Sequence, residues 1–145
     1  MAERRLVLDA SSLERYGNTV LEIEVIPRII VDLRRPGRIG VVTPFGVITA
    51  WNPRGTDLTE PENRERDGDL AAVLANAGWL HVRCAGSSPD RKHSEQGFAV
   101  WAPRDTLLGL AAEFQQDAIF WYDGADFSLC PLEGECLRLP LDRNT

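Results

Sequence analysis

Positive charge is scarce in this sequence. Its 16 Lys and Arg residues stand against 22 Asp and Glu residues, which gives a net charge of −6, and Lys92 is the single lysine. Because proteins that bind a phosphate backbone need clustered positive charge, a nucleic-acid partner is not expected. Arg34, Arg35 and Arg38 form one small basic cluster around a Pro-Gly pair, and this pattern is typical of a solvated turn.

Long apolar runs and cysteines are also few. No uninterrupted apolar stretch approaches the about 20 residues that span a bilayer, and the opening MAERR does not lead into the apolar run of a signal peptide. The cysteines are Cys84, Cys130 and Cys136, an odd and sparse set that predicts reduced thiols in a cytoplasmic protein. No membrane partner and no cofactor is indicated by these patterns.

Material for a globular core is plentiful. The chain has 145 residues, of which 43% are hydrophobic, including four Trp and five Phe. This size and composition predict a single domain over residues 1–145. We expect Trp101 and Trp121 to be buried core residues, and replacing a buried indole by alanine typically costs about 3 to 5 kcal/mol.

The first half of the chain reads as strands. Residues 20–34 are rich in β-branched side chains and are interrupted by Pro27, which predicts two short strands or one strand with an edge break. Residues 45–52 place apolar groups on both faces, which predicts a central strand. Pro53 ends that strand, because proline cannot donate to the ladder.

A helix is predicted directly after this strand. Thr59 and Glu62 have the spacing of a capping box, and Gly78 is a typical helix end. Leu70, Val73, Leu74 and Ala77 follow at helical spacing. Extending their stripe backwards passes through Arg66 or Asp67 and brings Asn63 to the inner face, near the end of the preceding strand.

The second half alternates strands with one more helix. We expect strands at 79–85, 97–103, 118–122 and 126–132, a helix capped by Asp105, and a hairpin turn at Asp123-Gly124. From residue 45 the order is β-α-β-β-α-β-β. This order predicts an α+β fold with a ferredoxin-like β-α-β-β-α-β core in one antiparallel sheet, which the early strands and the last hairpin strand extend.

Several segments together resemble a known family. VITAWNPRG at 47–55, Glu62-Asn63 opening a helix, Glu95 before GFAVW, and FQQDAIFW at 114–121 look like the bacterial family called domain of unknown function 3293. The resemblance covers about residues 45–122 and implies no reaction or ligand. It predicts a family-like core over about 45–130, preceded by an N-terminal strand extension over 1–44. Asp117 stands where asparagine, and Gln115 where glycine, is expected. The positions that it singles out are Trp51, Asn52, Pro53, Gly55, Glu62, Asn63, Glu95, Phe98, Phe114, Gln116 and Ala118.

These polar positions predict one site at one end of the sheet. Asn52 ends a strand and Asn63 lies in the first turn of the next helix, so we expect their side chains to converge with Glu95. Amides and carboxylates beside an indole suit a polar small molecule or a peptide end. The purely structural alternative is that Asn52 is a turn residue and Glu62 only a cap. The candidate ligand-binding set is Trp51, Asn52, Glu62, Asn63, Glu95 and Gln116.

Function stays open between three classes. A binding or interaction module is favoured, because no catalytic set is complete. An enzyme that uses Glu95 and Glu62 as acid and base, with Asn52 and Asn63 as positioning groups, is the alternative. The acidity of the chain gives a third class, an inhibitor or immunity-type protein.

Metal and thiol chemistry are weaker hypotheses. Zinc could use His81, Cys84, His93 and Glu95, but strand alternation puts His81 and Cys84 on opposite faces, so no metal site is predicted. Cys84 could act as a nucleophile with His93 as its base. We also expect a polar loop at 86–96, long enough to serve as a lid, with Glu95 tied to the Asn52 region.

Overall fold

The computed structural model describes residues 8–141 as three helices around one eight-stranded sheet. Residues 1–7 and 142–145 lie outside the described part, and so does the MAERR segment discussed above. The helices are α1 (Ala10–Gly17), α2 (Glu60–Ala77) and α3 (Arg104–Glu113). The strands are β1 (Val20–Ile23), β2 (Ile29–Asp32), β3 (Phe45–Thr49), β4 (Leu80–Ser87), β5 (Ser94–Trp101), β6 (Ala118–Tyr122), β7 (Phe127–Pro131) and β8 (Leu137–Arg138).

All strand pairs in the sheet are antiparallel, in the order β2-β1-β4-β5-β3-β6-β7-β8. The mixed α+β class and the antiparallel sheet are therefore confirmed. β3 lies between β5 and β6, as its two apolar faces predict. Pro27 separates β1 from β2, which form an antiparallel pair at one edge of the sheet.

Two apolar clusters form, one on each face of the sheet. Alternation along β3 sends Phe45 and Val47 into one cluster and Ile48 into the other. The Ile48 face is covered by α2 and α3 through Leu70, Leu74, Leu107 and Ala111. On the opposite face α1 contributes Leu13 and Tyr16. β3 therefore lies between α2 and α3 on one face of the sheet and α1 on the other.

Local signals fix the ends of α2 as predicted. The Thr59 hydroxyl accepts from the backbone N–H of Glu62 at 3.3 Å, and the Glu62 carboxylate accepts from the Thr59 N–H at 3.1 Å. Gly78 follows the helix with φ +77°, a conformation that favours glycine. By contrast, the prediction that Asp105 caps α3 is wrong. Pro103 occupies that position, and Asp105 lies in the first turn, where its charge still suits the helix dipole.

The expectation for the tryptophans is also wrong in part. All four are only half-buried, while Phe45 and Phe127 are fully buried. Trp101 donates from Nε1 to the Thr43 hydroxyl at 3.0 Å, which keeps its polar edge near the surface. A large amphipathic ring is rarely buried completely. Replacing Trp101 or Trp121 should therefore cost less than the full burial value.

The expectation of reduced thiols is wrong for two of the three cysteines. Cys130 and Cys136 form a disulfide, and Cys84 is free and buried. The register explains the pairing, because Leu129 opposes Leu137 in the β7–β8 hairpin and the next opposed positions are the two cysteines. The two-residue strand β8 was not predicted, so the pairing was missed with it.

Helix α1 was missed as well. It is short, and its N-cap is Asp9, whose carboxylate accepts from the Ser12 N–H at 2.7 Å. That capping pattern was the available signal. Within residues 8–141, no helix has the length and apolarity that crossing a membrane requires.

Candidate functional site

Asn52 and Asn63 form a reciprocal pair where β3 ends. The backbone N–H of Asn52 donates to Oδ1 of Asn63 at 2.8 Å, and Nδ2 of Asn63 donates to Oδ1 of Asn52 at 2.8 Å. Oδ1 of Asn52 also accepts from the Leu58 N–H at 3.0 Å. Asn63 is 2% exposed, so its inward orientation agrees with the helix stripe. These bonds join the end of β3 to the first turn of α2.

The free amide edge of Asn52 meets Glu95. Nδ2 of Asn52 donates to Oε2 of Glu95 at 3.0 Å. Burial raises the pKa of the Glu95 carboxyl above its usual range, and the bond from Asn52 opposes that shift. Within the described part of the chain, no residue donates a hydrogen bond to Oε1 of Glu95. One carboxylate oxygen of Glu95 is therefore oriented by the fold.

Gln116 and Arg66 hold the neighbouring backbone. Gln116 is 6% exposed, and its Nε2 donates to the Trp51 carbonyl at 3.1 Å. Nε of Arg66 donates to the Ala50 carbonyl at 2.6 Å, and Nη2 donates to the Phe114 carbonyl. The apolar stripe of α2 passes through Arg66 or Asp67, but the sequence does not indicate Arg66 as a site residue. Arg66 ties α2 to the end of β3 and to the end of α3.

Three residues near this junction have left-handed backbones. They are Asn52 with φ 46°, Arg54 with φ 50° and Gln115 with φ 54°. The Arg54 N–H donates to the Gln115 carbonyl at 2.8 Å, so two of these turns are joined. Such conformations are unfavourable for residues other than glycine, and they concentrate at functional sites. The glycine expected at position 115 from the family resemblance fits this backbone.

A cavity of about 650 Å³ opens beside Glu95, between α1 and the sheet. Asn52, Glu95 and Gln116 line it, whereas Trp51, Glu62 and Asn63 do not. Its volume lies within the range of small-molecule sites, about 300 to 1,000 Å³. Apolar side chains of the sheet face form one wall, among them Leu21, Val47 and Phe120. The carboxylate of Glu95 is thus placed on the wall of a partly apolar cavity.

The hydrogen bonds of the Trp51 carbonyl and of the Glu62 carboxylate lie outside the Asn52–Asn63–Glu95 cluster. Glu62 is exposed and engaged in the capping box, so it does not join the Asn52–Asn63–Glu95 cluster. The Trp51 carbonyl accepts from Gln116, while its indole Nε1 is buried and has no hydrogen-bond partner among residues 8–141. Sequence spacing placed Glu62 near the site because the cap and the cluster share one helix turn.

Cys84 is not suited to act as a nucleophile. It is 1% exposed, and burial raises the pKa of its thiol to about 12. The reactive form of cysteine is the thiolate, which such burial disfavours. His81 lies on the other face of β4, with its ring 5.5 Å from that of Phe98. Over residues 8–141, no three His, Cys, Asp or Glu side chains form a group that could hold a metal ion.

The predicted eleven-residue loop at 86–96 is wrong in its bounds. β4 extends to Ser87 and β5 begins at Ser94, so the connection is residues 88–93. It is a bonded turn, because the Ser88 N–H donates to the His93 carbonyl at 2.9 Å and Arg91 pairs with Glu22 of β1. The ends of β4 and β5 were not predicted as strand, because their polar residues face the cavity rather than a core. Glu95 is bonded to Asn52, as expected for the second half of that segment.

Comparison with known proteins agrees with the resemblance noted from the sequence. Residues 48–119 match the family described as Protein of unknown function (DUF3293). The chain belongs to this family. Neither a curated protein nor a solved structure matches the chain at a significant level. The matched part includes Asn52, Asn63, Glu95 and Gln116, whereas α1, which closes the cavity on one side, precedes it.

Proposed function

We propose that this protein binds a polar small molecule in the cavity beside Glu95. The observation that carries the proposal is a desolvated carboxylate, oriented by Asn52, on the wall of a cavity of about 650 Å³. Burial raises the pKa of Glu95, so its ionised form is disfavoured by the fold. A carboxyl group with a pKa shifted by burial, placed on a cavity wall, is typical of functional sites.

The chemistry of the ligand follows from this wall. An ionised carboxylate only accepts hydrogen bonds, so its free oxygen favours an amine, amide or hydroxyl group. The apolar side chains Leu21, Val47 and Phe120 favour a ligand with an apolar portion as well. The net charge of −6 argues against a nucleic acid in this role.

The central strands also support a finer description of the fold. Starting at β3, the β-α-β-β-α-β segment has the sheet order β4-β5-β3-β6, with α2 and α3 packed on one face. We infer that this segment is a ferredoxin-like unit, extended by β1 and β2 on one side and by β7 and β8 on the other.

An enzyme is the second candidate. The raised pKa of Glu95 favours it, since a carboxyl group whose pKa is brought closer to neutrality can serve as an acid or a base. Glu62 is not available as the second carboxylate, because it caps α2. This candidate therefore depends on Glu95 alone, and ligand binding must be established first.

The test is a thermal-shift screen with millimolar amines, amides, amino acids, amino alcohols and sugars. We expect at least one compound to raise the melting temperature of the wild type. Glu95→Gln should abolish that shift, and Glu65→Gln, which makes the same charge change on an exposed face of α2, should retain it. An equal shift in the Glu95→Gln variant, or no shift with any compound, would contradict the proposal.

A further inference from the structure

The cavity carries opposite charges that do not pair with each other. Arg15 belongs to α1 and lies at the exposed rim, while Glu95 lies half-buried on the sheet wall, and both line the cavity. None of the ion pairs among residues 8–141 includes either of them. Their charges nevertheless act on each other, because after burial and the bond from Asn52, the positive charge of Arg15 is the next influence on the pKa of Glu95.

The position of Arg15 is set by its helix. Tyr16 packs edge-on against Phe120, with ring centroids 5.9 Å apart, which anchors the end of α1 to β6. The Arg15 guanidinium lies over the Tyr16 ring, 5.2 Å from its centroid. This contact holds the guanidinium against the aromatic ring at the exposed rim of the cavity. The rim therefore presents a guanidinium, and the wall presents a carboxylate.

Further charged side chains line the cavity. Lys92 and His93 bring further basic groups to the rim from the 88–93 turn. Asp57 also lines the cavity and acts on Glu95 as a second negative charge, while Glu14 lies on α1 beside Arg15. Asp117 is engaged by Arg54, at 3.6 Å. A ligand that carries both a cationic and an anionic group would complement this arrangement better than a singly charged one.

The two charges require both a cationic and an anionic group in the ligand. Arg15 and Glu95 line one cavity, and within residues 8–141 they form no ion pair with each other, so each can pair with a bound molecule. A free α-amino acid is a small molecule that carries both groups. The apolar wall of Leu21, Val47 and Phe120 would then contact the rest of the molecule.

We propose that the cavity binds a free α-amino acid with an apolar side chain, its ammonium group at Glu95 and its carboxylate at Arg15. This inference rests on the proposed function, whose site it shares. The ammonium donates to the free oxygen of Glu95, the carboxylate accepts from the guanidinium, and the side chain lies against the sheet face. No covalent step is involved.

The test compares L-leucine with three derivatives by titration calorimetry on the full chain. Leucinamide lacks the carboxylate, N-acetyl-leucine lacks the ammonium group, and leucyl-leucine moves the two charges apart. Because a hydrogen bond to a charged group contributes about 1.5 to 3 kcal/mol, we expect L-leucine to bind about 10- to 100-fold more tightly than leucinamide or N-acetyl-leucine. Leucyl-leucine should also bind more weakly than L-leucine.

Variants assign each charge to one residue. Arg15→Gln should weaken L-leucine by about tenfold or more and leave leucinamide unchanged. Glu95→Gln should weaken L-leucine and leave N-acetyl-leucine unchanged. Arg35→Gln, which removes an exposed arginine that does not line the cavity, should have no effect. Arg15 is exposed, so its replacement should not prevent folding.

Three results would overturn the inference. They are equal binding of L-leucine and its derivatives, tighter binding of leucyl-leucine, and equal losses for every compound in Arg15→Gln. If no amino-acid compound binds while an amine or sugar from the wider screen does, this inference fails and the proposed function stands. If no compound of either set binds, both fail.

Discussion

The amide of Asn52 donates to the carboxylate of Glu95 at 3.0 Å, joining two residues 43 positions apart in the sequence. Asn52 can do so because Asn63 and the Leu58 N–H occupy its carbonyl oxygen, which fixes the direction of its amide hydrogens. The amide pair therefore determines where the carboxylate points. A hydrogen-bonded cluster that only stabilises the fold would not need to include the carboxylate of Glu95, because the burial of a charged group is unfavourable.

This arrangement predicts how stability depends on pH. The folded-state pKa of Glu95 lies above its ordinary value of 4.5, which applies when the chain is unfolded. The contribution of Glu95 to stability is therefore fully present below that ordinary value and is lost as pH rises through the raised pKa. Glu95→Gln has no such titration. In ligand-free protein, we expect the melting temperature of this variant, relative to wild type, to increase from pH 4 towards neutrality.

The control for this experiment is Glu65→Gln, which removes an exposed carboxylate from α2. Its melting temperature relative to wild type should not follow the same pH dependence. If Glu95→Gln is less stable than wild type at every pH, the carboxylate of Glu95 serves the fold through its bond with Asn52, and the argument for a ligand loses its main support.

Asn52 and Asn63 should behave as one unit in unfolding experiments. Asn63→Ala removes the partner of the Asn52 N–H and leaves that buried donor unsatisfied, so we expect a loss of about 2 to 3 kcal/mol. Asn52→Ala should cost a similar amount, and the left-handed backbone adds to it. Because the bond from Nδ2 of Asn63 to Oδ1 of Asn52 is lost in either single variant, the double variant should lose less than the sum by about 1 kcal/mol or more.

Urea unfolding of the two single variants and the double variant measures this coupling. Asn76→Ala, at an exposed position of α2, is the matched control and should change the free energy of unfolding by no more than about 0.5 kcal/mol. Strict additivity of Asn52→Ala and Asn63→Ala would contradict the reciprocal pair.

Two arginines on α2 should differ sharply in importance. Arg66 donates to the carbonyls of Ala50 and Phe114, so Arg66→Met removes bonds that join three elements. We expect it to lower the free energy of unfolding by about 2 to 3 kcal/mol. Arg64 forms an ion pair with the exposed Glu60, and Arg64→Met should cost about 0.5 kcal/mol or less. Equal losses in chemical unfolding would show that Arg66 does not anchor the junction.

Strong local patterns in the sequence predicted most of the fold. The capping box at Thr59 and Glu62, the alternation along β3 and the stripe that turned Asn63 inward all act through neighbours a few residues away. The segments that were missed had weak local signals. α1 has eight residues, β8 has two, and the ends of β4 and β5 carry polar residues because they face a cavity.

The sequence also predicted that three of the candidate residues would lie together. Asn52, Asn63 and Glu95 come together because strand ends and a helix start were assigned correctly. Glu62 was predicted to be a site residue, but it lies in the capping box of α2. The first turn of a helix can hold either kind of residue, so the sequence did not distinguish them. Arg15 was missed because its helix was not predicted, and its position depends on the packing of Tyr16 on Phe120, more than a hundred residues away in the sequence.

The reactivity of Cys84 tests whether its thiol is buried and protonated in the folded protein. Cys84 lines it but is 1% exposed, and burial raises the pKa of its thiol to about 12. At pH 8 the thiolate is therefore a very small fraction, and since Cys130 and Cys136 are joined, the folded protein should react slowly with iodoacetamide at every cysteine. Denaturation in urea without reductant should release one reactive thiol per chain, and Cys84→Ala should abolish that reaction. Rapid labelling of the folded wild type at pH 8 would mean that Cys84 is an accessible thiolate, and the hypothesis of a cysteine nucleophile would return.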